Sequence, residues 1–133
     1  QTLEMLDSRP DVEVHCRSIF LQGVLIRDAN SWPDIEGVSS TAMVDQLAAS
    51  ATQLRRLNVL DLCIAWINGP NPLNRYLTGV VVGAESMKQF DELLGLFGQD
   101  PLSGDEISRL KSELPKVPER LLNPAEWPER GHN

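Results

Sequence analysis

Apolar residues return along this chain at two different intervals, and each interval predicts its own kind of element. From Ser40 to Leu57, Met43, Leu47, Ala51 and Leu54 recur every three or four positions, the stripe of an amphipathic helix. Asn58 is a predicted N-cap for a second helix, in which Leu60, Cys63, Ile64 and Ile67 follow the same spacing until Gly69-Pro70-Asn71-Pro72 stops it. A third helix starts at Ser86, with Gln89 completing a capping box. Its predicted buried face is Phe90, Leu93, Leu94 and Phe97, and Gly98 is its predicted C-cap. Ser103-Gly104-Asp105-Glu106 is another capping box and leads a short helix through Ile107, Leu110 and Leu114. Alternation with period two appears in Val12-Glu13-Val14-His15-Cys16, and Gly79 to Val82 is a short apolar run; both predict strands.

The remaining stretches read as ends and connections. Gln1 to Arg9, with Leu3, Met5 and Leu6 and no initiating methionine, resembles the last turns of a helix cut within its length, ended by Arg9-Pro10-Asp11. Arg27 to Val38 has the Asp, Asn, Ser, Pro and Gly of a surface loop, with Trp32 as its apolar anchor. Beyond Pro115, Pro118, Pro124 and Pro128 predict an extended tail that Leu121, Leu122 and Trp127 fasten down. The expected organisation is therefore one unit over residues 1–114 and a tail over residues 115–133.

Two strands joined by a long helical crossover must be parallel, and parallel strands belong to sheets covered on both faces. The expected class is α/β, with two parallel strands and about four to five helices, mostly helical by residue count. A sheet of two strands is marginal in water. These strands are expected to complete a larger barrel or sheet, or to assemble with copies of the same chain.

Composition narrows the function classes. The 133 residues, 41% of them hydrophobic, suffice for one domain with a real core. A net charge of -7, from 19 acidic and 12 basic residues, argues against nucleic acid as a partner. No apolar run approaches the roughly 18 residues that cross a bilayer, and no signal-peptide pattern opens the chain, so no membrane partner and a cytoplasmic location are expected. Cys16 and Cys63 lack metal or redox spacing and read as small, reduced core residues.

Candidate chemistry concentrates in Thr78 to Leu94. A strand, a turn at Gly83-Ala84 and a helix N-terminus follow without a gap, aiming free backbone N–H groups and a helix dipole at one point suited to a phosphate. The same turn binds nothing in most α/β proteins. Asp105-Glu106 is a helix N-terminus feature, Asp91-Glu92 sits on a solvated helix face, Trp66 reads as core, and His15 reads as a structural strand histidine.

Two motifs resemble the end of the aldo-keto reductases, a family of (β/α)8 TIM barrels that use a nicotinamide cofactor. VEVHCRSIFLQGVL is similar to the family's seventh-strand motif, with Ser18, Gly23 and Leu25 at the characteristic places. VVVGAESMKQFDELL is similar to its eighth-strand motif, with Gly83, Ala84, Gln89 and Glu92 in register. LDLCIAW between them resembles the family's Leu-Ala-Leu-Ala-Trp helix through Leu62, Ala65 and Trp66, and LSGDEISRL resembles the helix that follows the barrel.

The resemblance implies the C-terminal fragment of such a barrel and part of an NADP or NAD site. Ser18 would hydrogen-bond the pyrophosphate, with Phe20 and Gln22 lying along it by their backbones. Gly83 and Glu85 would approach the adenosine 2′ position, and Gln89 and Glu92 would bind the adenosine end. It departs from the pattern by offering Glu85 and Gln89 where many members have Arg or Lys, and Glu92-Leu93 for Glu-Asn. A carboxylate there repels a second phosphate unless Arg17, Arg27 or Lys88 compensates. The family's catalytic Asp, Tyr, Lys and His come from the first half of the barrel, and neither Tyr76 nor His15 nor His132 reproduces them.

The expected function is thus the C-terminal portion of an NAD(P)H-dependent oxidoreductase that reduces a small carbonyl substrate to an alcohol, inactive as this chain alone and expected to be a homo-oligomer. The alternative is a non-catalytic, self-assembling fragment that binds no cofactor. A cofactor-sensing module without chemistry is a third reading.

Overall fold

A computed structural model describes residues 2–129. The described chain is mixed α/β and mostly helical, with two short parallel strands. Its order is α1 (Thr2–Asp7), β1 (His15–Cys16), two single 3-10 turns (Val24–Ile26 and Ala29–Ser31), α2 (Ser40–Gln53), α3 (Val59–Ile67), a third 3-10 turn (Asn74–Tyr76), β2 (Gly79–Val80), α4 (Met87–Phe97), α5 (Gly104–Glu113), α6 (Glu119–Leu122) and a last 3-10 turn (Pro124–Glu126).

The parallel pairing sets His15 opposite Gly79 and Cys16 opposite Val80. Thr78 and Val81 donate their N–H groups to the Val14 and Cys16 carbonyls, each at 2.7 Å, and the Thr78 hydroxyl accepts from Val14 N–H at 3.1 Å. The strands are shorter than the predicted Val12–Cys16 and Gly79–Val82. Each has a single neighbour, and β1 is broken off by Ser18, whose φ of 58° cannot continue a ladder.

Helix α3 is the centre. Its sequence VLDLCIAWI is apolar nearly all round, as suits a helix covered on every side, and Leu62, Ile64, Ala65 and Ile67 are buried. Leu62 and Ala65 join Ala51 of α2 and Leu102, Ile107 and Leu110 from around α5 in one cluster. Ile64 faces the other way, onto Leu93 and Leu96 of α4. A further cluster gathers Val24, Trp32, Ile35, Leu47 and Leu121.

Both ends of α3 are fixed by side chains. Asn58 accepts from Asp61 N–H at 2.9 Å, as the predicted N-cap should, while the buried Asp61 carboxylate accepts from Leu57 N–H at 2.9 Å and faces Arg56 at 3.7 Å. At the other end the buried Asn71 amide donates to the Trp66, Ile67 and Gly69 carbonyls at 2.8 to 3.1 Å. Gly69 is required there because a Cβ would stand 2.6 Å from the Leu102 carbonyl oxygen.

Three expectations need correction. Helix α2 ends at Gln53 rather than Leu57: Arg55 turns left-handed at φ 58°, and Leu57 is exposed. On α4 the buried residues are Leu93 and Leu96, while Phe90 and Leu94 of the predicted buried face are 46% and 56% exposed. The apolar arc of α4 is wider than the part that α3 covers. Finally, the tail is not extended throughout. It forms α6, Leu121 is buried with α2 and Trp32, and the Trp127 indole donates to the Leu121 carbonyl at 2.9 Å, although Leu122 stays exposed. Of the two expected capping boxes, the one at α5 forms, Ser103 and Glu106 capping each other's backbone at 3.2 and 3.0 Å. At α4 only half of it does: Ser86 accepts from Gln89 N–H at 3.2 Å, but the Gln89 side chain accepts from Glu85 N–H instead of Ser86 N–H.

Candidate functional site

Parallel strands bring their carboxyl ends to one edge, where α/β sheets bind ligands. The stretches after β1 and after β2 therefore leave the sheet side by side. They also share a support: Ile19 and Phe20 from the first and Val82 from the second pack against Ile64, Leu93 and Leu96. The two groups of residues singled out by the sequence thus lie on the same edge of the molecule.

The first stretch has an unusual backbone. Ser18, Leu21 and Gln22 take φ values of 58°, 51° and 55°, a region that costs non-glycine residues about 1–3 kcal/mol each, and Gly23 follows at 83°. Its internal bonds run from Leu21 N–H to the Ser18 carbonyl at 2.9 Å and from Leu25 N–H to the Phe20 carbonyl at 3.2 Å. The N–H groups of Phe20, Gln22 and Gly23 and the Ser18 hydroxyl have no partner among the described residues. Unpaired N–H groups in a run of left-handed residues are suited to binding an anion. The Arg27 guanidinium lies over Gly23, 3.3 Å from where a Cβ would sit, and adds a positive charge to the same loop. Leu25, the last residue assigned here, is half-buried and belongs to the packing beneath.

The second stretch is ordinary by comparison. Gly83, Ala84, Glu85, Gln89 and Glu92 are all exposed. Gly83 has no left-handed φ, and a Cβ on it would meet nothing within 4 Å, so the fold itself does not demand glycine. The Gln89 side-chain oxygen accepts from Glu85 N–H at 2.8 Å, which commits it to holding the turn before α4. Lys88 is exposed in the first turn of that helix, close in sequence to Glu85.

The residues set aside as catalytic stay outside this edge. Tyr76 donates its hydroxyl to Asp7 at 2.7 Å and also bonds Arg75, whose guanidinium lies 4.6 Å from the ring centroid and donates to Asp7 at 3.1 Å. The Asp7 carboxylate, by accepting that proton, raises the Tyr76 pKa above its ordinary value, which makes it a poor proton donor. His15 is not the satisfied structural histidine expected: its side chain is 52% exposed on the open face of the two-stranded sheet, 3.7 Å from Glu13. His132 lies outside the described residues. Among the described residues no three His, Cys, Asp or Glu side chains could hold a metal ion. Both cysteines are free, and burial pushes the Cys63 thiol up to about 12. No described helix is long and apolar enough to cross a membrane.

Sequence reasoning missed the left-handed Leu21 and Gln22, because neither residue type signals that conformation. It also missed a cavity of about 300 Å³ beneath the first loop, which Cys16, Cys63 and Trp66 help to line. No protein-family model, curated protein or solved structure matches the chain.

Proposed function

We propose that this chain is the C-terminal part of an NAD(P)H-dependent oxidoreductase of aldo-keto reductase type, the end of a (β/α)8 barrel, carrying part of the dinucleotide site and not the catalytic tetrad. The observation that carries the reading is the loop from Ser18 to Gly23. Of the residues that the family resemblance assigns to the pyrophosphate, Ser18 and Gln22 are held left-handed, the N–H groups of Phe20 and Gln22 have no partner among the described residues, and the Arg27 guanidinium lies over the neighbouring Gly23. A dinucleotide bound there supplies hydride to a small carbonyl compound. The chain's own residues bind and orient: Ser18 and the Phe20 and Gln22 backbone on the pyrophosphate, and Gly83, Ala84, Glu85, Gln89 and Glu92 toward the adenosine. The proposed setting is cytoplasmic.

Titration with NADPH and with NADH at low salt, followed by Trp quenching and nicotinamide emission, tests this reading. Saturable binding that Ser18→Ala weakens is expected; no binding up to millimolar cofactor overturns it.

A second reading, a non-catalytic fragment that self-assembles, draws on one observation. Met87, Phe90 and Leu94 are exposed along one face of α4, and Val81 is exposed just after β2. That reading expects a stable homo-oligomer in analytical ultracentrifugation together with no cofactor binding. An oligomer that binds cofactor supports the first reading.

A further inference from the structure

Beneath the first loop, and sharing Ser18 and Leu25 with it, lies a half-open cavity of about 300 Å³ between the end of β1, α2, α3 and α5. Its walls include Leu47, Leu62, Trp66 and Leu110, and Cys63 faces it as a neutral thiol. Arg17 and Ser18 are the exposed polar residues in its lining and stand where it opens to solvent. The volume equals that of about ten waters, which suits an apolar chain of roughly eight to ten carbons and falls at the small end of ligand pockets.

The charge at the opening selects the head group. Arg9, Arg56, Arg75 and Arg109 each face a carboxylate, whereas the Arg17 side chain has no ion pair or hydrogen bond among the described residues. In a chain of net charge -7, an exposed arginine in the lining of an apolar hollow, its guanidinium without a partner among the described residues, favours an anion with a hydrophobic tail over a neutral or cationic amphiphile. The hollow is bounded by four segments and is not a flat face, which suits a small molecule better than a protein surface.

We propose that this cavity binds a medium-chain monocarboxylate, tail against Trp66 and Leu62 and carboxylate on Arg17. The inference does not rest on the nicotinamide reading. Phe20, Gln22, Gly23 and the whole second stretch from Gly83 to Glu92 take no part in the lining.

The test is a titration with sodium decanoate at pH 8, below its micelle-forming concentration, read by calorimetry and Trp fluorescence. 1-Decanol and decyltrimethylammonium serve as neutral and cationic controls. Decanoate is expected to bind saturably and more tightly than either control. Arg17→Gln, a change at an exposed residue, is expected to weaken decanoate about tenfold while leaving decanol unaltered. Trp66→Phe is expected to remove most of the fluorescence change without removing the calorimetric one. Absence of saturable binding, equal binding of the three amphiphiles, or decanoate affinity indifferent to Arg17→Gln overturns the proposal. NADPH titrated in parallel separates the two readings: decanoate binding without NADPH binding defeats only the dinucleotide site, and the converse defeats only this cavity.

Discussion

After β1 the chain holds Ser18, Leu21, Gln22 and Gly23 in left-handed conformations; after β2 no residue from Val81 to Ser86 is in one. The first loop keeps its shape against the preference of its own residues because Ile19, Phe20, Val24 and Leu25 are packed beneath it. The second is shaped by local bonds, Ser86 to Gln89 and Gln89 back to Glu85, and stays exposed. Strain that tertiary packing enforces gives a surface already formed before any ligand arrives, which lowers the ordering cost of binding. A turn held by two capping bonds offers mainly a helix N-terminus and open space. In the dinucleotide reading, the first loop therefore supplies most of the affinity and the second adjusts it.

The largest test of this contrast removes what the loops share. Ile64 is fully buried and belongs, with Leu93 and Leu96, to the cluster against which Ile19, Phe20 and Val82 pack. Ile64→Ala is expected to cost about 2–5 kcal/mol in urea denaturation and to weaken ligand binding at both loops. A loss under 1 kcal/mol would show that they do not rest on a common core. Next in size is Gly23→Ala. At φ 83°, with the Arg27 guanidinium 3.3 Å from the new Cβ, it is expected to cost about 1–3 kcal/mol and to displace Arg27. NADPH titration of this variant should show loss of binding well beyond what the stability change explains.

How far the sequence could carry these conclusions depended on whether a feature was set locally. Caps at Asn58, Ser86 and Ser103 were legible because a side chain and a backbone N–H three residues on decide them. The parallel strands were legible because a long helical connection of the kind that parallel pairing requires lies between them. Burial on α4 was not. Phe90 and Leu93 have the same apolar character, and which one is covered depends on where α3 lies. Nor were the left-handed Leu21 and Gln22, since packing, not residue type, fixes them. The proposed site was half legible: the resemblance pointed to Ser18, Gly23, Gly83 and Gln89, but only three-dimensional contacts show that Arg27 covers Gly23 and that Gln89 is engaged with Glu85.

A smaller effect is expected at the second loop. Ser86→Ala removes the acceptor for Gln89 N–H at the start of α4 and is expected to cost about 1 kcal/mol, seen as faster amide exchange confined to the first turn of that helix. The dihedral angles after β1 should not respond, so amide shifts of Ser18 to Leu25 are expected to stay in place. Their movement would mean that the loops are coupled more tightly than the shared cluster requires.

The smallest effect on the fold, and the sharpest on the comparison, belongs to Gly83→Ala. The residue is exposed, its backbone is not left-handed, and a Cβ would meet nothing within 4 Å, so the change is expected to stay within about 0.5 kcal/mol of the parent in urea. Alanine even restricts the unfolded chain more than glycine does. If glycine is needed here, the need arises only when something outside the chain comes close to the backbone. A dinucleotide whose adenosine end approaches Gly83 would collide with the added methyl, and NADPH binding should then weaken about three- to tenfold, or about 0.7–1.4 kcal/mol, at unchanged stability. Binding undiminished by Gly83→Ala but abolished by Gly23→Ala would confine the dinucleotide to the loop after β1 and leave the turn before α4 with no ligand to serve.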